Sequence, residues 1–251
     1  MGVEYQQPDI VSVWDKVTNS YNQAATEGPD YQANLRVMLD CIGNPTGKWI
    51  CEVGCGSGAT SAELQRLGAR TLLVDISSKA IGFARKHYTN MGLQAEFCLQ
   101  NGLQLGFRGD IFDVVWNGGV IEHFIDDGKV ALIREMYRVV KPGGLLFIAV
   151  PNAMDLPFML GKKVEELRGT WKFGYEDDLT LGRFRTLATR AGIGSFELFA
   201  YNPVVGWWFL PYGFRICEML RLNTLEWHAR RSRFGHVLCL IARKLVRSEG
   251  E

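Results

Sequence analysis

The chain has 251 residues and a formal net charge of +1, with 47% hydrophobic and 22% charged residues. This length and apolar content suit one α/β domain with appended elements, and the near-neutral charge argues against a nucleic-acid partner. The polar segment from Met1 to Pro8 lacks the pattern of a signal peptide, and no apolar run is long enough to cross a bilayer, so we expect a cytoplasmic protein.

Two helices are predicted at the amino-terminal end, over residues 9–26 and 31–43. Strands and helices then alternate, which predicts right-handed βαβ units and a parallel sheet. These elements are strand 48–53, helix 58–67, strand 70–75, helix 78–90, strand 94–99, strand 111–116, helix 127–140 and strand 144–150.

The periodicity weakens after residue 150. Residues 151–177 predict a long loop with a short helix at 158–168, and a loop of this length beside a central strand is often functional. The sheet is completed by helix 177–191 and strands 195–201 and 235–243, with residues 203–233 inserted between these two strands.

The most informative segment, residues 50–58, reads Ile-Cys-Glu-Val-Gly-Cys-Gly-Ser-Gly. An apolar strand stops at Gly54, Gly56 and Gly58, and a helix begins at once. Glycine lets the backbone approach a ligand, and a helix start offers free N–H groups, so the segment predicts a nucleotide-like cofactor site. Two interpretations stay open here: a dinucleotide, and S-adenosylmethionine (SAM), for which Glu52 precedes a G-x-G-x-G run.

The ends of the next strands carry further matches. Asp75 ends the second strand and can accept hydrogen bonds from both ribose hydroxyls, or it can cap the following helix. Three further segments follow in order along the chain: Phe97 to Leu103, Phe112-Asp113-Val114-Val115, and Val-Lys-Pro-Gly-Gly at 140–144. Over residues 48–150 this set resembles the class I SAM-dependent methyltransferases of small-molecule type.

The resemblance implies an α/β fold with a doubly wound, mostly parallel seven-stranded sheet, an antiparallel last strand and helical lid elements. It implies a lid over residues 1–44 and a SAM-binding domain over 45–251, with substrate segments 151–177 and 203–233 inserted. Asn101 stands where the family usually has Asp, and Tyr21 lies in the lid region. The implied cofactor contacts are Glu52, Gly54, Cys55, Gly56, Gly58, Asp75, Ile76, Asn101, Gly102, Leu103, Asn117 and Tyr21.

Methyl transfer from a sulfonium needs an aligned nucleophile, exclusion of water and a proton acceptor when the nucleophile carries a proton. His123, which follows the fourth strand, is the candidate general base, and the alternatives are packing or a hydrogen bond to the cofactor. We expect surface or edge positions without function for His87, His228 and His236. The acidic run Glu176 to Asp178 is interpreted as a helix start.

The acceptor is predicted to be a small hydrophobic or aromatic molecule. Residues 203–233 are rich in aromatic side chains, which suits a pocket roof, a homodimer seam or a peripheral membrane contact. The candidate substrate residues are Trp14, Tyr175, Trp207, Trp208 and Tyr212.

The sequence therefore predicts a SAM-dependent methyltransferase with S-adenosylhomocysteine (SAH) as product. The alternatives are a non-catalytic SAM-binding or scaffold protein of the same fold and an NAD(P)-dependent oxidoreductase. No metal is expected, because the six cysteines form no Cys-x-x-Cys pair and are interpreted as buried thiols.

Overall fold

The computed structural model describes residues 10–19 and 28–246, and these form a seven-stranded sheet with strand order β3-β2-β1-β4-β5-β7-β6. β7 runs antiparallel to both β5 and β6, and the other pairs are parallel. This arrangement confirms the predicted fold class. The strands are β1 (Trp49–Val53), β2 (Arg70–Asp75), β3 (Glu96–Leu99), β4 (Phe112–Gly118), β5 (Val140–Pro151), β6 (Glu197–Tyr201) and β7 (Val237–Arg243).

Nine α-helices surround the sheet within the described residues. They are α1 (Ile10–Thr18), α2 (Pro29–Ile42), α3 (Ala59–Arg66), α4 (Ser78–Asn90), α5 (Asp126–Val139), α6 (Leu156–Arg168), α7 (Leu181–Arg190), α8 (Gly213–Met219) and α9 (Leu225–Ala229). Short 3-10 helices cover Ile121–His123 and Val205–Phe209. Within the described part of the chain, none of the helices combines the length and apolarity needed to span a bilayer.

The strand order reverses between β1 and β4. The chain builds outwards from β1 through β2 to β3, and then returns to place β4 on the other side of β1. In such open sheets a crevice forms at the carboxyl ends of the strands where the order reverses, and ligands bind there. The fold therefore places a site beside Val53 and Gly118, the last residues of β1 and β4.

Both faces of the sheet are buried, as continuous apolar strands require. One face packs on α5 and α7, through side chains such as Leu132, Met136 and Phe184. The other face packs on α2, whose Val37 and Met38 join the core around Ile50 of β1. The two helices of the predicted lid therefore have different roles, because α2 is part of the domain core.

The region after β5 is more ordered than the sequence pattern suggests. α6 has 13 residues, so half of the predicted loop 151–177 is helical. Its start is fixed by Asp155, whose carboxylate accepts the Phe158 N–H (3.4 Å), and by Pro157 in the first turn. Gly161 allows the helix to lie against the inserted segment, since a Cβ there would stand 2.4 Å from Cβ of Phe209.

Candidate cofactor and substrate site

A cavity of about 660 Å³ opens at the carboxyl ends of the central strands. One end is formed by the turn between β1 and α3 together with Asp75, Ile76 and residues 100–102. The other end is formed by β5 and the start of β7, with Phe147 and His236 in its wall. This size lies within the usual range for small-molecule sites. The cavity therefore has room for an elongated ligand and for a second molecule beside it.

The glycines of the first turn have two different roles. Gly54, Gly56 and Gly58 all have positive φ, at 73°, 49° and 68°. A Cβ on Gly54 would stand 2.5 Å from Val120, and one on Gly58 would stand 2.4 Å from Leu73. Gly54 and Gly56 line the cavity, whereas Gly58 does not. The missing side chain of Gly58 makes room for packing on β2, and the ligand contact at Gly58 stays a prediction.

Asp75 fixes the shape of this turn. Its Oδ2 accepts the Gly56 N–H (2.9 Å) and its Oδ1 accepts the Ser77 N–H (2.8 Å). Burial raises its pKa, and these backbone bonds oppose that effect. Each carboxylate oxygen has a second acceptor position, so the group can still bind a diol at the cavity wall. Capping of α4 is carried by Ser77, whose Oγ accepts the Ala80 N–H (3.1 Å).

Glu52 places a buried carboxyl group on the cavity wall, at the end of β1. Its Oε2 has no hydrogen-bond partner among the described residues. Burial raises its pKa to about 8, a hydrogen bond with Ser61 opposes this, and the charge of Asp75 adds to it. A buried acceptor without a donor costs free energy, and a ligand cation would remove that cost. The site therefore suits a ligand with an ammonium group near Gly54.

The opposite side of the turn adds a mixed apolar and polar wall to the cavity. Ile76, Asn101 and Gly102 line the cavity, and so does Gln100, which the sequence analysis did not single out. Leu103 lies outside the lining, and its N–H donates to Oδ1 of Asn101 (3.0 Å). The predicted cofactor contact at Leu103 is therefore not made through its N–H, because that donor is already used.

Asn117 is also displaced from its predicted role. Its side chain is fully buried, lies outside the cavity lining, and directs Nδ2 towards Sδ of Met136 at 3.4 Å. Trp116 and Gly118 of β4, and Gly119 directly after it, line the cavity instead. Side chains alternate along a strand, so the residues on each side of Asn117 face the cavity and Asn117 faces α5.

His123 lies on the cavity wall in a nearly closed environment. Its Nδ1 is 2.8 Å from the carbonyl oxygen of Tyr175, so Nδ1 carries the proton and Nε2 carries the lone pair. Trp14 of α1 packs edge-on against the ring, with centroids 4.8 Å apart. Burial lowers the pKa of His123 to about 4, and the bond to Tyr175 opposes this. The residue is neutral at neutral pH and holds the segment before α7 in place.

A buried ion-pair cluster anchors that same segment. Nζ of Lys162 lies 2.9 Å from Oε2 of Glu176 and 2.5 Å from Oδ2 of Asp178. Lys129, fully buried on α5, pairs with Asp177 at 2.7 Å. The interpretation of residues 176–178 as a helix start is therefore corrected, because α7 begins at Leu181 and these carboxylates face buried lysines. The cluster holds the preceding residues, Lys172 and Phe173, at the cavity.

The predicted aromatic roof lies elsewhere. Trp14 lines the cavity, but Tyr175 contributes its carbonyl to His123 and its side chain lies outside the lining. Trp207, Trp208 and Tyr212 also lie outside it, and Nε1 of Trp208 donates to Asn223. Trp207 is 46% and Tyr212 is 74% exposed. These side chains suit the dimer or membrane interpretation of residues 203–233, and both interpretations stay predictions. Tyr21 lies outside the described residues.

Two of the remaining histidines are not at the surface. His228 is fully buried, with Nδ1 2.7 Å from Oδ1 of Asn202. His236 lies in the cavity wall, with Nδ1 3.0 Å from Oδ2 of Asp155. The sequence pattern gives no signal for the His236–Asp155 pair, because the two residues are 81 positions apart and only the pairing of β7 with β5 brings them into contact.

Comparison with known proteins agrees with this geometry. Residues 51–148 match a family described as a methyltransferase domain. The ubiquinone biosynthesis O-methyltransferase of Parvibaculum lavamentivorans is 30% identical over 170 residues. That alignment covers 63% of this chain and 64% of the relative, so the chain spans slightly less than two thirds of the relative's length.

Two solved structures share the fold over nearly the whole chain. One is a SAM-dependent methyltransferase from Thermotoga maritima, described as a possible histamine N-methyltransferase, with a TM-score of 0.65, 15% identity, and coverage of 94% of this chain and 99% of that one. The other is the cyclase SpnF, with a TM-score of 0.64, 18% identity, and coverage of 98% and 99%. At these identities the likeness establishes the fold.

Proposed function

We propose that this chain, whose residues 51–148 match a methyltransferase-domain family, is an active class I methyltransferase with SAM as methyl donor. The single observation that carries the proposal is the polar end of the cavity. There Glu52 offers a buried acceptor beside the glycine turn, and Asp75 offers a carboxylate at the tip of the adjacent strand. SAM carries an ammonium, a ribose diol and an adenine, and these are the kinds of group that such a site can bind.

The residues present fit that cofactor. Glu52 would hold the ammonium of the methionine end, Asp75 the ribose hydroxyls, and Ile76 one face of the adenine. When bound, SAM supplies a methyl group already activated by a positive sulfur. The chain's own contribution is to align the acceptor, to exclude water and to accept a proton. α1, with Trp14 at the cavity, would act as the lid.

We propose further that the acceptor is a small hydrophobic or aromatic molecule methylated on oxygen. The far end of the cavity is lined by apolar side chains such as Phe147, Val150 and Phe173. An O-methyltransferase of a quinone pathway is among the relatives, which supports a hydroxyl on an apolar ring. The apolar lining of the cavity and the similarity to this O-methyltransferase therefore favour the same class of acceptor.

The alternative of a protein that binds SAM without transferring its methyl group keeps one specific observation in its favour. The cyclase SpnF shares the fold at a TM-score of 0.64. A fold by itself does not determine the reaction. Product formation separates the two functions, whereas cofactor binding does not.

The test combines binding with turnover. Isothermal calorimetry with SAM, SAH and NAD is expected to give heats with the first two ligands and none with NAD. Transfer of a labelled methyl group from SAM to a panel of phenols and hydroxyquinones is then expected to give a methyl ether. Binding of NAD in preference to SAM would overturn the proposal, and SAM binding without product from any acceptor would favour the non-catalytic alternative.

Asp75→Ala is expected to weaken SAM binding by ~1.5–3 kcal/mol, the range for hydrogen bonds to a charged group. Asp113→Ala is the matched control, because Asp113 also accepts a backbone N–H, that of Trp49 (2.8 Å), but lies outside the cavity lining. Calorimetric affinity of the control should stay within ~0.5 kcal/mol of the parent. Equal affinities for all three proteins would refute the ribose role of Asp75.

A further inference from the structure

The acceptor end of the cavity contains a histidine–carboxylate pair. His236 precedes β7 and lines the cavity, and its side chain is 16% exposed. Its Nδ1 lies 3.0 Å from Oδ2 of Asp155, whose side chain is 4% exposed. A carboxylate at Nδ1 fixes the tautomer in which Nδ1 carries the proton. The lone pair of Nε2 is then the free acceptor of this ring.

The surroundings hold the pair in one geometry. The backbone N–H of His236 donates to the Asn202 carbonyl (2.8 Å), and the imidazole packs against the rings of Phe158 and Phe209, at 4.6 and 6.1 Å between centroids. Gly206 makes room for the carboxylate, because a Cβ there would stand 2.1 Å from Asp155. The position of the imidazole is therefore fixed by packing against two rings as well as by the hydrogen bond to Asp155.

His123, the candidate base from the sequence, is the poorer acceptor. Its Nδ1–H is bound by a neutral carbonyl, which stabilises an imidazolium less than a carboxylate does. Burial lowers the pKa of His123 to about 4, so it holds a proton weakly near neutral pH. The two histidines thus have the same tautomer, and of their two Nδ1 partners only that of His236 is an anion. Nε2 of His123 instead lies 3.8 Å from Oε1 of Glu176, a carboxylate that is paired with Lys162.

We propose that His236 is the catalytic proton acceptor for a hydroxyl on the methyl acceptor, and that Asp155 is its positioning residue. This inference rests on the proposed methyltransferase function. The acceptor oxygen provides the electron pair of the new O–CH₃ bond, while the S–CH₃ bond breaks with its pair left on sulfur. The hydroxyl proton passes to Nε2 of His236, and the imidazolium keeps its Nδ1–H bond to Asp155 until it releases a proton to water.

The experiment uses 4-nitrophenol, whose phenol and phenolate forms absorb at different wavelengths, with the full chain saturated with SAH. At a pH where the free probe is mostly un-ionised, binding to the parent is expected to raise the phenolate-to-phenol ratio at least tenfold. His236→Gln should abolish that rise and Asp155→Asn should reduce it strongly. His87→Gln, a histidine on α4 outside the cavity lining, should leave it unchanged.

Folding and the cofactor site are checked separately. The SAH affinities of His236→Gln and Asp155→Asn, measured by calorimetry, should stay within about twofold of that of the parent. In nitrogen NMR, the imidazole signal that disappears in His236→Gln belongs to His236, and its shifts should be those of the Nδ1–H tautomer. SAH binding with no phenolate signal in the parent, or with an equal signal in His236→Gln, overturns this inference and leaves the proposed function standing. Absence of SAH binding in the parent overturns the proposed function itself.

Discussion

Glu52→Gln is expected to weaken SAM binding by ~2–5 kcal/mol, the cost of truncating one partner of a buried charge pair. This corresponds to a loss of affinity of about 30-fold to several thousand-fold. The physical reason is that Oε2 of Glu52 is buried without a partner among the described residues and lines the cavity. An amide in its place is neutral and offers the ammonium a weaker acceptor.

The same substitution is expected to stabilise the ligand-free protein at alkaline pH. The pKa of Glu52 is raised from 4.5 to about 8, so the folded state prefers the protonated carboxyl. Stability from this group is therefore full below 4.5 and is lost as the pH rises through about 8. Because Glu52→Gln has no such loss, its unfolding free energy should rise relative to that of the parent between pH 4.5 and about 8. A site prepared for a cation thus costs stability when the cation is absent.

Calorimetry in buffers of different ionisation enthalpy tests the charge directly. At pH 7 the parent should release nearly one proton when it binds SAM, because the ammonium favours the ionised carboxylate. Glu52→Gln should release none, and Glu63→Gln on α3, outside the cavity lining, should behave like the parent. Proton release that is equal in the parent and in Glu52→Gln would show that the ammonium binds elsewhere.

The polar end of the cavity could be predicted from the sequence because its residues are local to strand ends. Glu52, Gly54 and Gly56 lie within one turn, and Asp75 lies at the end of the neighbouring strand. In a parallel sheet, the carboxyl ends of adjacent strands meet at one edge. Short spacing and strand polarity therefore locate this end without any knowledge of packing.

The acceptor end could not be predicted in the same way. His236 and Asp155 are brought together by the antiparallel pairing of β7 with β5, and the orientation of Asn117 depends on the pleat of β4. A shift of one residue in register reverses which face a side chain occupies. The exposure of Trp207 and Tyr212 likewise depends on how the inserted segment packs on α6, for which the sequence carries no periodic signal.

Lys162→Met is expected to lower the unfolding free energy by ~3–5 kcal/mol, the cost of removing one partner from a buried ion pair. Lys162 is paired with Glu176 and Asp178, and all three side chains are less than 8% exposed. For a chain of this size the loss corresponds to a fall in Tm of roughly 6–20 °C. Lys163→Met is the matched control, because Lys163 pairs with Glu166 at the surface and should change stability by less than ~0.5 kcal/mol.

The pH dependence identifies the cause of this loss. Without Lys162, the carboxylates of Glu176 and Asp178 stay buried without their cation, and burial already raises the pKa of Glu176. Protonation relieves the unpaired charge, so the difference between Lys162→Met and the parent should shrink as the pH falls towards 4.5, the ordinary value for Glu. A difference that is independent of pH would instead indicate the loss of contacts between Lys162 and the rings of Phe158 and Trp171, whose centroids lie 5.9 and 5.3 Å from Nζ. Chemical denaturation at several pH values distinguishes these causes, because only unpaired charge makes the loss depend on protons.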